Sequence, residues 1–427
     1  MTRQSAFMVV AEIRPGAEKE LRNLLATLNH APGIVNPGNA LVPFRQFPQL
    51  HFARFVILTD GTTADLAVSG VSFPDAPTLL AFLGDCDGPA EALLQDFADK
   101  ASDGLQRIFS HCADFDTAVP LARWMIGHNT PPAVQYANWV GRTVLQVREE
   151  AALHVALKRY LQEEGTDSPS PRTLRERLYA RVARDGPALT PLAAPSAAET
   201  IGELLHALGG IAVILLAAPF ALLAAPFYLL ALRRHEMQDP AITPRPAEDH
   251  IRALGVIEDH DVTNQFSAFG NVKPGRFRLW SLIVILWVVG LTTRHLYIRG
   301  HLARVGSIHF ARWVFLDGHR RLFFGSNYDG GLDSYMDDFI NKVAFGLNLV
   351  FSNGIGYPRT RFLVLGGAKD EQGFKNYIRR HQLPTEVWYK AYPGLTAFDL
   401  ARNARIRRGL ERSGGSDADI RQWLAEI

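Results

Sequence analysis

Cysteine is nearly missing from this chain: Cys86 and Cys112 are the only two among 427 residues. Two thiols cannot build a disulfide framework, and neither has the CxxC or Cys/His spacing of a zinc site. A net charge of one sign is also missing. Lys and Arg number 45 against 43 Asp and Glu, a balance of +2, which excludes the electrostatic footprint of a nucleic-acid binder. There is no Walker loop, no GxSxG, no HExxH and no Rossmann fingerprint. The opening "MTRQSAFMVVAEIRPG" lacks the apolar core and cleavage site of a signal peptide, so the bulk of the chain is expected in the cytoplasm. The length exceeds one ordinary core, and two or three domains are expected.

What is present is a repetition. "HFARFVIL" at 51–58 and "HFARWVFL" at 309–316 match at six of eight positions. Downstream, 87–110 lies over 329–352 with nine of 24 positions identical. Upstream, 5–16 lies over 267–275 with a short gap, and Tyr136, Gly141 and Thr143 keep the spacing of Tyr389, Gly394 and Thr396. Four collinear blocks indicate a duplicated module, roughly 1–155 and 258–412, joined by 156–257 and followed by a tail, 413–427. Within module one, alternation predicts a strand over 6–13. A proline start with Leu21, Leu24, Leu25 and Leu28 at helical spacing predicts a helix. Strands are expected over 50–58 and 78–86, a helix over 89–106, and a further strand before residue 130. The fold class that follows is α+β: two tandem ferredoxin-like (βαββαβ) modules packed sheet to sheet, with a membrane-associated helical insert.

With its HFAR[FW]V strand and [CY]DG turn, the duplicated module resembles the dimeric α+β barrel superfamily, which includes the dye-decolourising peroxidases. The resemblance covers both modules, about two thirds of the chain. Those peroxidases carry GxxDG with a catalytic aspartate; the chain has "GDCDG" at 84–88 and, one residue longer, "GSNYDG" at 325–330. The resemblance implies a haem (heme) cofactor and an acid at Asp87, with Asp329 as its counterpart.

The residues themselves leave two readings open. His51 and Arg54, with His309 and Arg312, line the inter-sheet space and meet haem and its propionates; or each His is hydrogen-bonded under the helices and each Arg pairs with its module's turn aspartate. Strand alternation keeps His and Arg on opposite faces unless a bulge intervenes. Asp87 and Asp329 act as acids, or cap helices. Asp329, Asp333 and Asp337 form a cation site, or an acidic solvated turn. His111 departs from the repeat, where Asn353 stands, and is the first candidate for a haem or metal ligand, with packing as the alternative. His128, His154 and His301 are weaker candidates.

The insert holds an arginine-rich segment (Arg172, Arg175, Arg177, Arg181, Arg184), read as an interfacial or simply a solvated helix. Residues 207–232 are then apolar for 26 positions, enough to exceed the ~30 Å hydrocarbon core. Pro219 and Pro226 suggest a re-entrant hairpin there. A second apolar run, 279–293, replaces the amphipathic first helix of module one. With basic residues at both ends of 207–232, the expectation is a protein anchored on the cytoplasmic face of a membrane, with two crossings, which also leave both modules on one side, as the alternative. Two functions follow: a membrane-associated, peroxidase-like oxidoreductase, haem-dependent and acting on an apolar or lipid-like substrate; or a non-enzymatic module that binds a membrane lipid or a partner protein.

Overall fold

The computed structural model describes residues 3–71, 76–164, 170–242, 244–298, 300, 302, 305–412 and 414–427. Eight principal strands carry the fold: β1 (Gln4–Glu12), β2 (Leu50–Leu58), β3 (Leu79–Asp87), β4 (Val134–Ala137), β5 (Thr263–Asn271), β6 (Ile308–Leu316), β7 (Arg321–Asp329) and β8 (Thr385–Lys390). They form two four-stranded antiparallel sheets, ordered β1-β3-β2-β8 and β4-β6-β7-β5. The repeated strands occupy equivalent places, since β2 sits beside β3 as β6 sits beside β7.

The fourth strands are exchanged. The strand expected before residue 130 is absent there, because Leu121–Gly127 is helical. It comes at β4 and pairs with β6 of the other sheet, while β8 pairs back to β2. Each exchanged strand also keeps a hold on its own half. Val10 N donates to His128 O (3.0 Å) and Thr130 N to Met8 O (2.8 Å), just before Ala133 N donates to Trp313 O (2.8 Å). Likewise Leu383 N donates to Ser267 O (2.8 Å) just before β8. The hydrogen bonds therefore run round a closed ring, which removes the exposed strand edges of two open sheets. Inside it, Met8, Val56, Ala81 and Leu83 pack against Phe269, Val314 and Phe323.

Helices cover the outside. On the first sheet lie α1 (Glu18–Ala26), α2 (Ala90–Lys100) and α3 (Ser102–Phe109); the single helix expected over 89–106 is broken at Ala101, whose backbone leaves the helical region (φ −130°, ψ 26°). Among the helices further along the chain are α4 (Val144–Glu164), α5 (Pro171–Asp185), α6 (Ala197–Gln238), α7 (Arg276–His295), α8 (Leu332–Phe351) and α9 (Ala397–Glu411). The arginine-rich α5 buries Leu178 and Val182 against Leu157, Tyr160, Ile406 and Trp423, and its Arg181 pairs with Glu163 at 2.6 Å. It is a packed helix with a solvated outer face.

Among the described residues two helices are long and apolar enough to cross a membrane, α6 and α7. The expected hairpin in the first is not formed: α6 is one helix of 42 residues that continues through Pro219 and Pro226, about 63 Å long at the usual rise. It runs antiparallel to α7. His206 meets His295 (2.8 Å) at one end, Gly210 abuts Leu291, and Tyr228 OH donates to Ser281 Oγ (3.1 Å) toward the other. α7 buries Leu282 and Leu286 on the second sheet and turns Trp280 and Val284 outward.

Both ends of α6 are fastened to the same barrel. At the first end Glu203 pairs with Arg3, which leads into β1, and accepts from Arg294 Nε (3.0 Å) and Nη2 (2.7 Å). At the second end the buried Glu236 accepts from Thr360 Oγ1, Phe362 N and Leu363 N, each at 2.9 Å. Those bonds hold a hairpin turn in which Phe362 and Leu363 have left-handed backbone (φ 55° and 59°), a conformation costly for side chains with a Cβ. Asp239, just past the helix, accepts from Lys273 Nζ and Arg278 Nη2, both at 2.6 Å. Between these ends the apolar surface is uncovered: Leu216, Phe220 and Phe227 are 74–75% exposed.

Candidate functional site

The repeated histidines and aspartates form two matching relays at one end of the barrel. The register of β2 against β3 shifts between Leu50 and Phe52, and that of β6 against β7 between Ile308 and Phe310. Each shift is a bulge at the histidine, which re-aims a side chain. His51 Nε2 meets Asp87 Oδ1 at 2.9 Å, and Asp87 Oδ2 accepts from Val144 N (2.9 Å), the start of α4. In the second half His309 Nε2 meets Asp329 Oδ1 at 2.7 Å, and Asp329 Oδ2 accepts from Ala397 N (2.7 Å), the start of α9. Both aspartates are caps, of the helix after the exchanged strand and not of the helix that follows the turn. Burial raises the Tyr392 hydroxyl well above its ordinary pKa. The hydroxyl lies 3.1 Å from His51 Nδ1, so both ring nitrogens of His51 have partners.

Because both copies make these bonds, replacing either aspartate by alanine should cost a similar amount. Each loses a cap and a charge-assisted bond, about 2–3 kcal/mol. Denaturant midpoints for Asp87→Ala and Asp329→Ala should agree within about 1 kcal/mol; a large inequality would argue for a specialised role in one half.

The arginines lie elsewhere. Arg54 Nη1 donates across the barrel to Phe266 O (2.8 Å) and Ser267 Oγ (3.0 Å), and Nη2 to Ser326 O (3.0 Å) and Asn327 Oδ1. Arg312 reaches the other way, to Phe7 O (2.8 Å) and Asp85. Neither pairs with its turn aspartate. They tie the two sheets together. Desolvation, with the neighbouring Arg312, pushes the Arg54 guanidinium down to about 9, and desolvation raises Asp85. Asp85, which the sequence reading passed over, is the one carboxylate here, and its repeat counterpart is Asn327. In the same motif Gly84 has a packing reason, since a Cβ there would sit 2.4 Å from Phe52 O.

His111 lies away from both relays. Its Nδ1 bonds Arg107 O (3.0 Å) and Ile108 O (3.3 Å), closing the end of α3. Asn353 Nδ2 makes the same bonds to Leu349 O (2.9 Å) and Val350 O (3.4 Å) at the end of α8. The two residues differ in type and agree in task. His128 is held by Trp124 O and Asp114, His154 by Asn403 and Ile427 O, and His301 lies outside the described residues. Asp329 ends a strand, so it shares no helix face with Asp333 and Asp337, and Asp337 pairs with Lys375 at 2.7 Å. Among the described residues no group of three His, Cys, Asp or Glu is placed to hold a metal ion.

The space at the two relays does not fit a haem. Iron needs an imidazole nitrogen facing an open volume, yet both His51 nitrogens are engaged. The space beside His51, His309, Phe310 and Tyr392 is about 20 Å³, room for about one water.

The large opening lies next door. A cleft of about 840 Å³ runs between the Arg3–Ser5 segment, β4 and the paired helices α6 and α7. Its rim carries Arg3, Arg294 and His206; its wall carries Gly209, Val213 and Trp287. No sequence motif marks it, because its lining comes from four separate segments. Comparison with family models, with curated proteins and with solved structures gives no match to this chain.

Proposed function

We propose that the protein is a membrane-seated barrel module that binds a lipid-like molecule, with no redox cofactor. The observation that carries this reading is α6. An apolar helix bound at both ends to one barrel cannot cross a bilayer with that barrel on one side of it. It lies along the barrel wall and presents its uncovered flank to lipid. The hairpin tip at its second end adds Phe362, Val364 and Leu365, each more than a third exposed. Arg233, Arg359 and Arg361 flank that tip, and Arg3 and Arg294 stand at the first end. Basic residues at both ends favour the cytoplasmic face, whose leaflet is anionic.

The closed ring supports the likeness to the dimeric α+β barrels, as two ferredoxin-like halves with exchanged fourth strands. That likeness concerns fold and carries no reaction. The oxidoreductase reading gains nothing from the histidines, all three of which serve packing or capping.

Sedimentation with vesicles of phosphatidylcholine and phosphatidylserine tests the seat. Apolar burial is insensitive to ionic screening, whereas a purely basic patch loses its hold by about 1 M salt. The bound fraction should be the same at low and high salt. Release by salt would show that charge alone holds the protein.

A further inference from the structure

We infer that the cleft between β4, α6 and α7 binds a long-chain carboxylate, its head at Arg3 and Arg294 and its tail along Gly209, Val213 and Trp287. The inference rests on the membrane seat described above and adds to it a site and a ligand class.

The volume is right, since about 840 Å³ lies within the ~300–1,000 Å³ usual for small-molecule sites. Its polarity is graded along one axis. The rim sits where α6 begins and α7 ends, and the wall continues into the apolar run of both helices. An amphiphile has that same gradient.

The charge at the rim is unbalanced: two guanidiniums face one carboxylate, Glu203. Arg294 already holds that carboxylate through a fork, Nε at 3.0 Å and Nη2 at 2.7 Å, and Arg3 holds it from the other side. Glu203 is a third exposed. The arginines thus demonstrate the geometry with which they take a carboxylate, and Glu203 stands as an internal competitor for it. His206 and His295 share a hydrogen bond beside the rim (2.8 Å). Within the wall, Gly209 opens onto free space: a Cβ there would meet nothing within 4 Å. By contrast a Cβ on Gly210, one residue on, would sit 2.5 Å from Leu291 Cδ1. A bulky side chain at 209 therefore fills the cleft and leaves the helix pair intact.

Full-length protein in nonionic detergent, where no bilayer is needed, is titrated with brominated stearate, and tryptophan quenching is followed. Expected is a saturable component that disappears in Trp287→Phe. Gly209→Phe should weaken it at least about tenfold. Gly202→Phe, on the same helix, away from the cleft and equally unhindered, should leave it unchanged. Glu203→Gln removes the competitor and should tighten it on the order of fivefold. The uncharged methyl ester should bind correspondingly weakly.

Quenching that never saturates, or that survives Trp287→Phe and Gly209→Phe, overturns the site while vesicle sedimentation still stands. Equal binding of acid and ester, or an indifferent Glu203→Gln, overturns the carboxylate head.

Discussion

With glutamate at Leu216, Phe220 and Leu223 together, the protein should leave the membrane pellet. The three positions follow i, i+4, i+7 on one flank of α6, and each is 74–75% exposed. Burying a large apolar side chain in lipid is worth about 1.5–3 kcal/mol. Removing three forfeits about 5–9 kcal/mol of the seat, before the cost of placing carboxylates at lipid depth. Since none of the three lies in the barrel, unfolding of the barrel in detergent should be unaltered. The measurement is the pellet-to-supernatant ratio with vesicles, beside a melting curve. A triple variant still found wholly in the pellet would show that α6 is not what faces lipid.

Asp85→Asn should be the most damaging single change inside the barrel. Arg54 and Arg312 are both buried, and Asp85 is the carboxylate between them, also accepting from Asn327 Nδ2 (3.3 Å). Removing one partner from a buried ionic cluster leaves charge without compensation, typically a loss of about 3–5 kcal/mol. Here it leaves two guanidiniums facing one another. Adding Arg312→Leu should restore more than half of that loss, because the repulsion goes with the second cation. Denaturant midpoints of the single and double variants decide it. A single variant within about 1 kcal/mol of the parent would mean that the arginines are compensated from elsewhere.

The repeated strands could be located in the sequence because their information is local. Residues 50–58 carry β-branched and aromatic side chains, and they are β2 to the residue. The apolar run 279–293 falls inside α7 in the same way. Partner choice is not local. Nothing in "VQYA" states that it will leave β1 for β6, since both are antiparallel edges of the same duplicated design. The bulge at His51 was equally hidden, because a bulge is a property of two strands in register. That is why His51 and Arg54 were assigned roles at one ligand, when one belongs to a cap at the barrel end and the other to a strut across its middle. His111 misled for a further reason. A side chain that differs between copies suggests a new task, but an imidazole and an amide close a helix end equally well. In α6 the prolines suggested a break, yet the helix continues. A proline forfeits one backbone bond and leaves the remaining ladder able to run on.

The exchange of fourth strands sets an order of events at the ribosome. When the first half has emerged, β2 presents a bare edge, and β4 has no partner to leave for. Both wait until residues 308–390 have been made, and α6 must meanwhile emerge and find lipid. The nascent protein thus passes through a stage with an open sheet edge and an apolar helix exposed together, the state in which chains aggregate. Docking α6 early would shelter the helix and hold the half-built ring beside the surface where its second half arrives.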